Sequence, residues 1–418
     1  MKYEVSIETL TPLHIGSGDE LIGDFDYMSP DGSDITYMLN QSTIYAAELE
    51  RNGARARLDQ PAANLVTEAD LHDGSRFLRY KVKGGAKLHQ LREQLKDVRG
   101  AVYVPGSSLK GAFRNAMMTY ASTLTQFTTA DLKEKNKSKE AAHSWERQLF
   151  GPSEQQDVLR ALQVADSQSL FPPPLEIIPA RVFISAQDDE GSPIEIEAIS
   201  AQSNFTTSII IDELALQYVD HPRYGNELPW KDSRLWLINL IPILQEVGRR
   251  RIEGELTEAK ARGLSRMAKF YEELMRLQER MLGRPAAVIQ IGWGTGWVGT
   301  TIATALDKPT RDFLRTEYDL GKPPKWNWRE KGEWKPDLNK SFPKSRRLQA
   351  KDDLPGRPFG WISLFFEQIG KARLEENWEK LQRQAKESFV PMAEHARVKI
   401  ESRKQEHTHG QRGQRGRK

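Results

Sequence analysis

The segment Tyr103–Met118, YVPGSSLKGAFRNAMM, joins a short apolar run to a Pro-Gly break, two serines and a helix-like pattern. From Ser108 onward its apolar residues recur every three or four positions, which is typical of one face of an amphipathic helix. A helix that begins at Ser107 or Ser108 has free backbone N–H groups and a positive dipole end at its start. Phosphate is a natural ligand of such a helix start. We therefore predict a strand, a tight turn and a helix whose N-terminus binds an anion.

The polar face of this helix carries two cations and a glycine. Lys110 and Arg114 lie outside the apolar positions, and their offset separates them by about 6 Å along the helix axis. This separation is close to the spacing of successive phosphates in an extended strand. Gly111 lies opposite the apolar face, where a missing side chain would allow a ligand backbone to approach. The alternative interpretation is an ordinary capped helix with a solvated basic face.

The composition excludes several classes of protein. With no Cys among 418 residues, the chain has no disulfide, thiolate nucleophile or Cys-ligated zinc. No apolar run approaches the roughly 20 residues that a membrane span requires, and the N-terminus lacks the layout of a signal peptide. We expect a cytoplasmic protein with no membrane partner.

The charge is divided unevenly along the chain. Residues 397–418 contain eight Lys or Arg against two Glu, whereas residues 1–396 contain 53 basic and 56 acidic residues. We expect one elaborated domain over residues 1–396, followed by a basic, disordered tail over residues 397–418. An anion bound to the domain would therefore meet local patches and backbone N–H groups rather than a global positive field.

The periodicity of the remaining segments predicts an α+β fold. Residues 2–10 alternate polar and apolar, as a half-buried strand does, and residues 101–105 form a short apolar strand candidate. Residues 233–283 are strongly helical, and strand-like segments return at residues 286–290 and 360–367. Strands separated by helices and insertions suggest a sheet with helices on one face.

A glycine-rich stretch over residues 291–302, IGWGTGWVGTTI, contains the pattern GxGxxG from Gly294 to Gly299. This pattern can mark a dinucleotide-binding turn, and a nucleotide-binding enzyme is one alternative function. The residues that follow show no second parallel strand, which that fold requires. Trp293 and Trp297 suit a loop that lies along bases or backbone, although they also suit a packed loop.

Residues 322–351 contain ten basic residues against three acidic ones, with Trp326, Trp328, Trp334 and Phe342 among them. Aromatic faces that stack bases and cations that follow the backbone are typical of single-stranded nucleic-acid binding. A charged surface loop is the alternative.

Carboxylates cluster in PLHIGSGDELIGDFDY, residues 12–27, where paired acids could hold a divalent metal and activate water. Asp24 and Asp26 are the candidates for such catalysis, but exposed acids in turns are far commoner. We therefore expect a binding protein without catalysis, cofactor or bound metal, with a metal-dependent ribonuclease as the alternative.

Taken together, five islands resemble the RAMP superfamily of CRISPR-associated RNA-binding proteins, and within it the subunits that cap the 3′ end of crRNA in type III-A (Csm) complexes. The islands are PLHIGSGD, VYVPGSSLKGAFR, LQVADSQSL, GWGTGWVGTT and SFPKSRRL. The resemblance implies an RRM-like, ferredoxin-like core with large, partly helical insertions, one of them at about residues 233–283. It implies antiviral defence, with crRNA, the backbone and small subunits of the complex, and crRNA-maturation nucleases as partners, and target RNA as an indirect one.

The resemblance and the basic aromatic segment together assign RNA contacts to a set of residues spread along the chain. These residues are His14, Gly16, Ser107, Ser108, Lys110, Arg114, Gly292, Gly294, Gly296, Gly299, Trp326, Trp328, Arg346 and Arg347. The backbone subunit of the same superfamily cleaves target RNA with an aspartate in the loop after PLHIGGGD. Asp24 or Asp26 would occupy that place here, but the longer chain and longer spacing to PGSSLKG favour the capping subunit.

Overall fold

The computed structural model describes nine stretches of the chain. They are residues 1–125, 127–129, 141–186, 188–221, 228–230, 232–322, 334–351, 354–369 and 376–391. The predicted tail, residues 397–418, and the predicted RNA-contacting residues Trp326 and Trp328 lie outside these stretches.

The described residues form both helices and strands, as the periodicity predicts. The strands are β1 (Lys2–Thr9), β2 (Gly16–Ile22), β3 (Tyr27–Met28), β4 (Ile35–Leu39), β5 (Leu78–Lys83), β6 (Gln90–Gln94), β7 (Leu162–Val164), β8 (Leu175–Phe183), β9 (Asp189–Ile199), β10 (Asn204–Ile211), β11 (Ala286–Gln290), β12 (Arg346–Lys351), β13 (Leu354–Pro355) and β14 (Trp361–Gln368). The helices are α1 (Gln41–Asn52), α2 (Gly106–Leu124), α3 (His143–Phe150), α4 (Glu213–Tyr218), α5 (Ser233–Ile238), α6 (Leu240–Ala261), α7 (Ser265–Met281), α8 (Gly296–Thr300), α9 (Lys308–Glu317) and α10 (Glu376–Ser388). Among these helices, none has the length and apolar content that crossing a membrane requires.

The first sheet of the described residues has the strand order β11-β14-β1-β10-β7, and every neighbouring pair in it is antiparallel. The chain passes from β1 to β7 through α2, and from β10 to β14 through α6 and α7. Each crossover joins two parallel strands that have one antiparallel strand between them, which is the split βαβ arrangement of a ferredoxin-like core. The predicted α+β class is confirmed, with β11 added beyond β14 at one edge.

Helices α2 and α6 cover one face of this sheet, and on the other face Val288 of β11 and Trp361 of β14 are also buried, in a second apolar cluster with α7. Val5 of β1 and Phe113 of α2 are fully buried in one apolar cluster, because the apolar positions of α2 face the sheet. On the opposite face, Glu4 of β1 lies directly across from Glu367 of β14, and both are exposed. The open part of that face, along β1 and the end of β14, therefore carries two adjacent acidic side chains.

The second sheet follows the path β2-β6-β9-β8-β5-β4-β3, and β12 pairs with β8. A buried carboxylate forms hydrogen bonds that link strands at the centre of the second sheet. Glu197 of β9 is fully buried and accepts hydrogen bonds from the Tyr80 hydroxyl (2.8 Å) and the Lys96 ammonium group (2.7 Å). Because the charge of Glu197 is paired and hydrogen-bonded, its burial is tolerated.

The segment that decides the fold departs from the prediction at its N-terminal end. The predicted strand at residues 101–105 is reduced to two isolated bridges, which join Val102 to Lys96 and to Leu170. The Val104 N–H donates to the Ser167 hydroxyl oxygen (2.8 Å) instead of to the backbone of a neighbouring strand. The helix begins at Gly106, directly after Pro105, rather than at one of the serines.

Gly106 and Gly111 lie in the same helix and should respond oppositely to alanine. A Cβ on Gly106 would lie 2.3 Å from the Val164 carbonyl oxygen, whereas a Cβ on Gly111 would meet nothing within 4 Å. We expect Gly106→Ala to lower the free energy of unfolding by about 1–3 kcal/mol through overpacking. Gly111→Ala should raise it by about 0.5–1 kcal/mol, because glycine is a poor helix former. Urea unfolding of both variants measures the difference, and equal effects would contradict the packing of α2 described above.

Candidate nucleic-acid interface

The sequence motifs meet at one end of the ferredoxin-like core. The Trp293 N–H donates to the carbonyl oxygen of His14 (2.8 Å), which joins the glycine-rich loop to the turn after β1. The Asn115 side chain of α2 donates to the carbonyl oxygen of Gly299 (3.1 Å). The guanidinium of Arg347, in β12, lies 5.2 Å from the centre of the Trp293 ring. Segments that are far apart in the sequence therefore form one surface.

Packing within the protein accounts for most glycines of the loop. Gly292 and Gly294 have positive φ angles of 75° and 92°, and a Cβ on Gly292 would lie 2.5 Å from the carbonyl oxygen of His14. A Cβ on Gly299 would lie 2.7 Å from a guanidinium nitrogen of Arg251. Gly296 differs, because a Cβ there would meet nothing within 4 Å. Of the predicted glycines, Gly296 is the one whose surroundings leave room for a ligand.

The alternative of a dinucleotide-binding loop is wrong. A dinucleotide binds outside the carboxyl ends of parallel strands. The strand before the glycine-rich loop, β11, is an edge strand that pairs antiparallel with β14. The GxGxxG pattern here turns the chain beside the His14 segment, without a parallel strand next to it in the described part of the chain.

His14 is a buried positioning residue rather than an exposed RNA contact. Its side chain is 2% exposed, and its ring Nδ1 lies 2.6 Å from the carbonyl oxygen of Glu197. The ring packs edge-on against Trp293, with 6.1 Å between the ring centres. Burial lowers the pKa of His14 to about 4, so the ring is neutral at pH 7. Gly16 is exposed, and a Cβ there would lie 3.2 Å from Nε2 of His14.

The start of α2 already holds a carboxylate. The Gly106 N–H donates to Oδ1 of Asp166 (2.7 Å), so a negative charge occupies the position where we predicted phosphate. A second anion at the helix start would be repelled by this carboxylate, so the start of α2 is less favourable for phosphate than we predicted. Ser107 is exposed and Ser108 is half-buried beside it.

Arg114 is also committed to the protein. Its Nε lies 2.6 Å from Glu146 and its Nη1 lies 2.6 Å from Asp157, while the guanidinium covers the ring of Phe150 at 4.5 Å. Both carboxylates compete with phosphate for this guanidinium, so the predicted RNA contact of Arg114 would have to share or displace these ion pairs. Lys110, one turn earlier, has no ion pair with a described residue and remains available.

Adjacent arginines of β12 have different roles. The Arg346 Nε lies 2.8 Å from Oε2 of Glu255, and both side chains are largely buried. Burial opposes the charged form of Glu255, but Arg346 and Arg251 hold its pKa below the usual value. Arg346 is thus engaged in a structural ion pair, which leaves little of its guanidinium free for the predicted RNA contact. Arg347 is exposed, as that prediction requires.

Arg92 of β6 completes a cluster that the sequence does not indicate. Its guanidinium lies 5.6 Å from the centre of the Trp293 ring, and Arg347 lies over the same ring. Neither arginine has an ion pair within the described stretches. Burial, followed by the charge of Arg92, lowers the pKa of Arg347. We call these three residues the Arg–Trp cluster; it holds two positive charges without a counter-ion on one half-buried indole.

The candidate catalytic carboxylates serve the turn after β2. Asp26 accepts hydrogen bonds from the Ile22 N–H (2.8 Å) and the Gln41 amide (2.7 Å). Asp24 is exposed and has a positive φ angle of 67°. Among the described residues, no group of three His, Asp or Glu side chains is placed to hold a metal ion.

His14 should make stability depend on pH. Its pKa is about 4 in the folded chain, against an ordinary value of 6.5. The unfolded chain therefore binds more protons between these values, so this contribution is complete above pH 6.5 and is lost as the pH falls towards 4. We expect the loss to reach about 3 kcal/mol. His14→Asn keeps a donor for the Glu197 carbonyl but cannot be protonated, and urea unfolding from pH 4 to 7 should show a shallower dependence. Parallel curves for both proteins would contradict a buried neutral His14.

Lys110→Ala and Arg114→Ala should separate binding from stability. Removing Arg114 leaves Glu146 and Asp157 without their shared partner, and we expect a loss of about 1–2 kcal/mol of unfolding free energy. Lys110→Ala should stay within about 0.5 kcal/mol of the parent. Fluorescence titration with single-stranded RNA should show the larger effect for Lys110→Ala. For this variant alone, the slope of log affinity against log salt concentration should be flatter by about 0.7. A flatter slope for Arg114→Ala would restore that residue to the interface.

Comparison with known proteins agrees with this architecture. The model of the RAMP superfamily matches residues 6–299. A chain of the "Cryo-EM structure of Csm-crRNA-target RNA ternary complex in type III-A CRISPR-Cas system" shares the fold, with a TM-score of 0.58 and 22% identity over 87% of this chain and 100% of that chain. The crystal structure of T. onnurineus Csm5 gives a TM-score of 0.56 and 22% identity over 85% of this chain and 99% of that chain. Among the curated proteins, none matches. Since the family model covers well over half of the sequence, this chain belongs to the RAMP superfamily.

Proposed function

We propose that the chain is a non-catalytic, crRNA-binding subunit of a type III-A CRISPR effector complex. The observation that carries the proposal is the Arg–Trp cluster, in which Arg92 and Arg347 flank Trp293 without a counter-ion. The shared fold with a Csm–crRNA–target RNA complex chain supports it. Family membership supplies the expectation of RNA, and the cluster supplies a chemically suitable surface.

Phosphate contacts and stacking would act together at this cluster. Guanidinium groups bind phosphate through charge-assisted hydrogen bonds. An indole that is already flanked by cations can accept a base on its remaining exposed surface, which is the sequence-tolerant mode of single-strand binding. Lys110 of α2, on the motif that also carries Asn115, would extend the positive surface along the strand. Affinity from such contacts depends on salt and little on base identity.

The acidic side chains on the first sheet support a placement of RNA at the Arg–Trp cluster rather than on the sheet. Glu4 and Glu367 lie side by side there, so a phosphate backbone would be repelled from the open sheet. RNA would instead follow the loops where the glycine-rich segment and the turn after β1 meet. This differs from a typical RRM, whose sheet face stacks bases with aromatic residues.

The proposed place of this subunit is the 3′ end of the crRNA, where it caps the filament of related backbone subunits. The overall similarity to T. onnurineus Csm5, over 85% of this chain, supports a Csm5-like role. Its proposed partners are crRNA, the backbone and small subunits, and the nucleases that mature crRNA, with target RNA as an indirect partner.

A metal-dependent ribonuclease is the second candidate, and it rests on Asp24. This side chain is exposed, and its positive φ angle of 67° projects it from a tight turn. Labelled single-stranded RNA incubated with the protein should remain intact with and without Mg²⁺. Mg²⁺-dependent cleavage that Asp24→Ala abolishes would establish the ribonuclease instead.

Substituting both arginines of the Arg–Trp cluster should weaken RNA binding uniformly. For Arg92→Gln/Arg347→Gln, loss of two phosphate contacts should flatten the slope of log affinity against log salt by about 1.4. Arg266→Gln/Arg280→Gln removes two exposed arginines of α7 and serves as the matched control. Fluorescence titrations from low to high salt with two unrelated RNA sequences measure both slopes. Equal slopes for the two double variants would remove the cluster from the interface.

A further inference from the structure

A second cleft lies beyond the glycine-rich loop. It has a volume of about 560 Å³ and is bounded by α6, the segment from Trp297 to Thr304, α9 and the segment from Phe342 to Arg346. This volume falls within the range of small-molecule sites. We call it the arginine cleft, after Arg250, Arg251 and Arg311 in its wall.

Two of these arginines, Arg250 and Arg311, have no carboxylate partner among the described residues. Arg250 has no ion pair or hydrogen bond from its side chain in the described part of the chain. Burial lowers the pKa of Arg250, and the neighbouring cations Arg249 and Arg311 lower it further, against Glu246 and Glu253. The Nε of Arg311 is buried without a hydrogen-bond partner. Two guanidinium groups thus face the same space without neutralisation.

Arg251 adds a buried, partly unsatisfied guanidinium to the same wall. It is 8% exposed, and its Nη2 donates to the Gln290 side chain and to the Thr295 carbonyl oxygen, at 2.8 Å each. Its Nε and Nη1 are buried without hydrogen-bond partners. Buried donors without a partner are costly, so a cluster of them in a cleft indicates a ligand that accepts hydrogen bonds.

The carboxylates of the cleft do not neutralise these groups, because other cations hold them. Glu253 pairs with Arg249 (3.0 Å) and Glu258 pairs with Arg262 (2.8 Å). Glu255 lies 2.8 Å from Arg346 and is farther, at 3.7 Å, from Arg251. The cleft therefore keeps an excess of positive charge although acidic residues line it.

Aromatic rings form the other side of the cleft. Trp297 and Phe342 meet edge-on, with 4.8 Å between their ring centres. Gly296 stands directly before Trp297, and its position leaves open space where a side chain would project. An apolar wall opposite a set of guanidinium groups matches a ligand that has a flat ring at one end and an anion at the other.

We propose that the arginine cleft binds a phosphorylated nucleoside, with its phosphate on Arg250 and Arg311 and its base against Trp297. Arginine favours phosphate because the planar guanidinium donates in pairs to phosphate oxygens. The ligand comes either from a bound RNA strand or from free nucleotide, since both present the same chemistry. The RNA source rests on the proposed function, whereas the free nucleotide does not.

Calorimetric titration of the full chain with AMP, adenosine and inorganic phosphate tests the cleft. We expect AMP to bind more tightly than adenosine or inorganic phosphate. Arg250→Gln/Arg311→Gln should weaken the binding of AMP at least tenfold. Arg266→Gln/Arg280→Gln, outside the cleft, should bind AMP like the parent. Equal AMP affinity in both double variants, or no heat of binding at millimolar AMP, would overturn the proposal.

Photolabelling keeps the test independent of whether a variant folds. Irradiation of the unmodified chain with 8-azido-AMP should label peptides containing Trp297 or Phe342, and excess AMP should prevent the labelling. Labelling that occurs only in other peptides would overturn the proposal.

Competition by single-stranded RNA distinguishes the two sources. RNA that blocks the label assigns the cleft to a nucleotide of the strand, whereas persistence of the label at saturating RNA assigns it to free nucleotide. If the chain fails to bind RNA but 8-azido-AMP still labels the cleft, the proposed function is wrong and the proposal of a nucleotide site in the cleft still stands.

Discussion

The contact between the His14 carbonyl and the backbone of Gly292 and Trp293 determines how the rest of the interface is arranged. The Trp293 N–H donates to this carbonyl at 2.8 Å, and the approach is so close that a Cβ on Gly292 would lie 2.5 Å from the oxygen. The contact ties the end of β1 to the loop after β11. Trp293 is thereby directed towards the second sheet, where Arg92 and Arg347 meet it. A residue larger than glycine at position 292 would separate the two loops and the cluster with them.

Unequal pairing of charges, rather than net charge, produces the positive surface. Residues 1–396 contain slightly more acidic than basic groups. Several arginines nevertheless form no ion pair within the described part of the chain. The difference arises because Arg114 and Arg346 take the carboxylates within their reach, at 2.6 and 2.8 Å. Other acids, such as Glu4 and Glu367, are placed on the open face of the first sheet.

Local sequence patterns predicted the helices and strands, whereas contacts between residues far apart in the sequence determine the candidate site. The alternation of β1 and the apolar stripe of α2 follow from periods of two and 3.6 residues, so both elements were predictable. The glycine-rich loop was predictable from its composition, and the core topology from the family resemblance. Asp166 reaches the start of α2 from 60 residues away, and no local signal indicates that contact. Arg92 was missed for the same reason, since only the pairing of β6, β9, β8 and β12 brings it to Arg347.

The unpaired arginines have an energetic consequence for binding. Placing Arg92 and Arg347 on one indole keeps two like charges close together, and the lowered pKa of Arg347 reflects the burial and repulsion that result. A phosphate bound there, as we propose, would relieve that repulsion and meet donors that packing on Trp293 has already oriented. Little side-chain entropy then remains to be lost on binding, which is the advantage of a preorganised site. In the proposed function, the His14 contact would therefore act on affinity through the unbound state, by holding the two charges together before any ligand arrives.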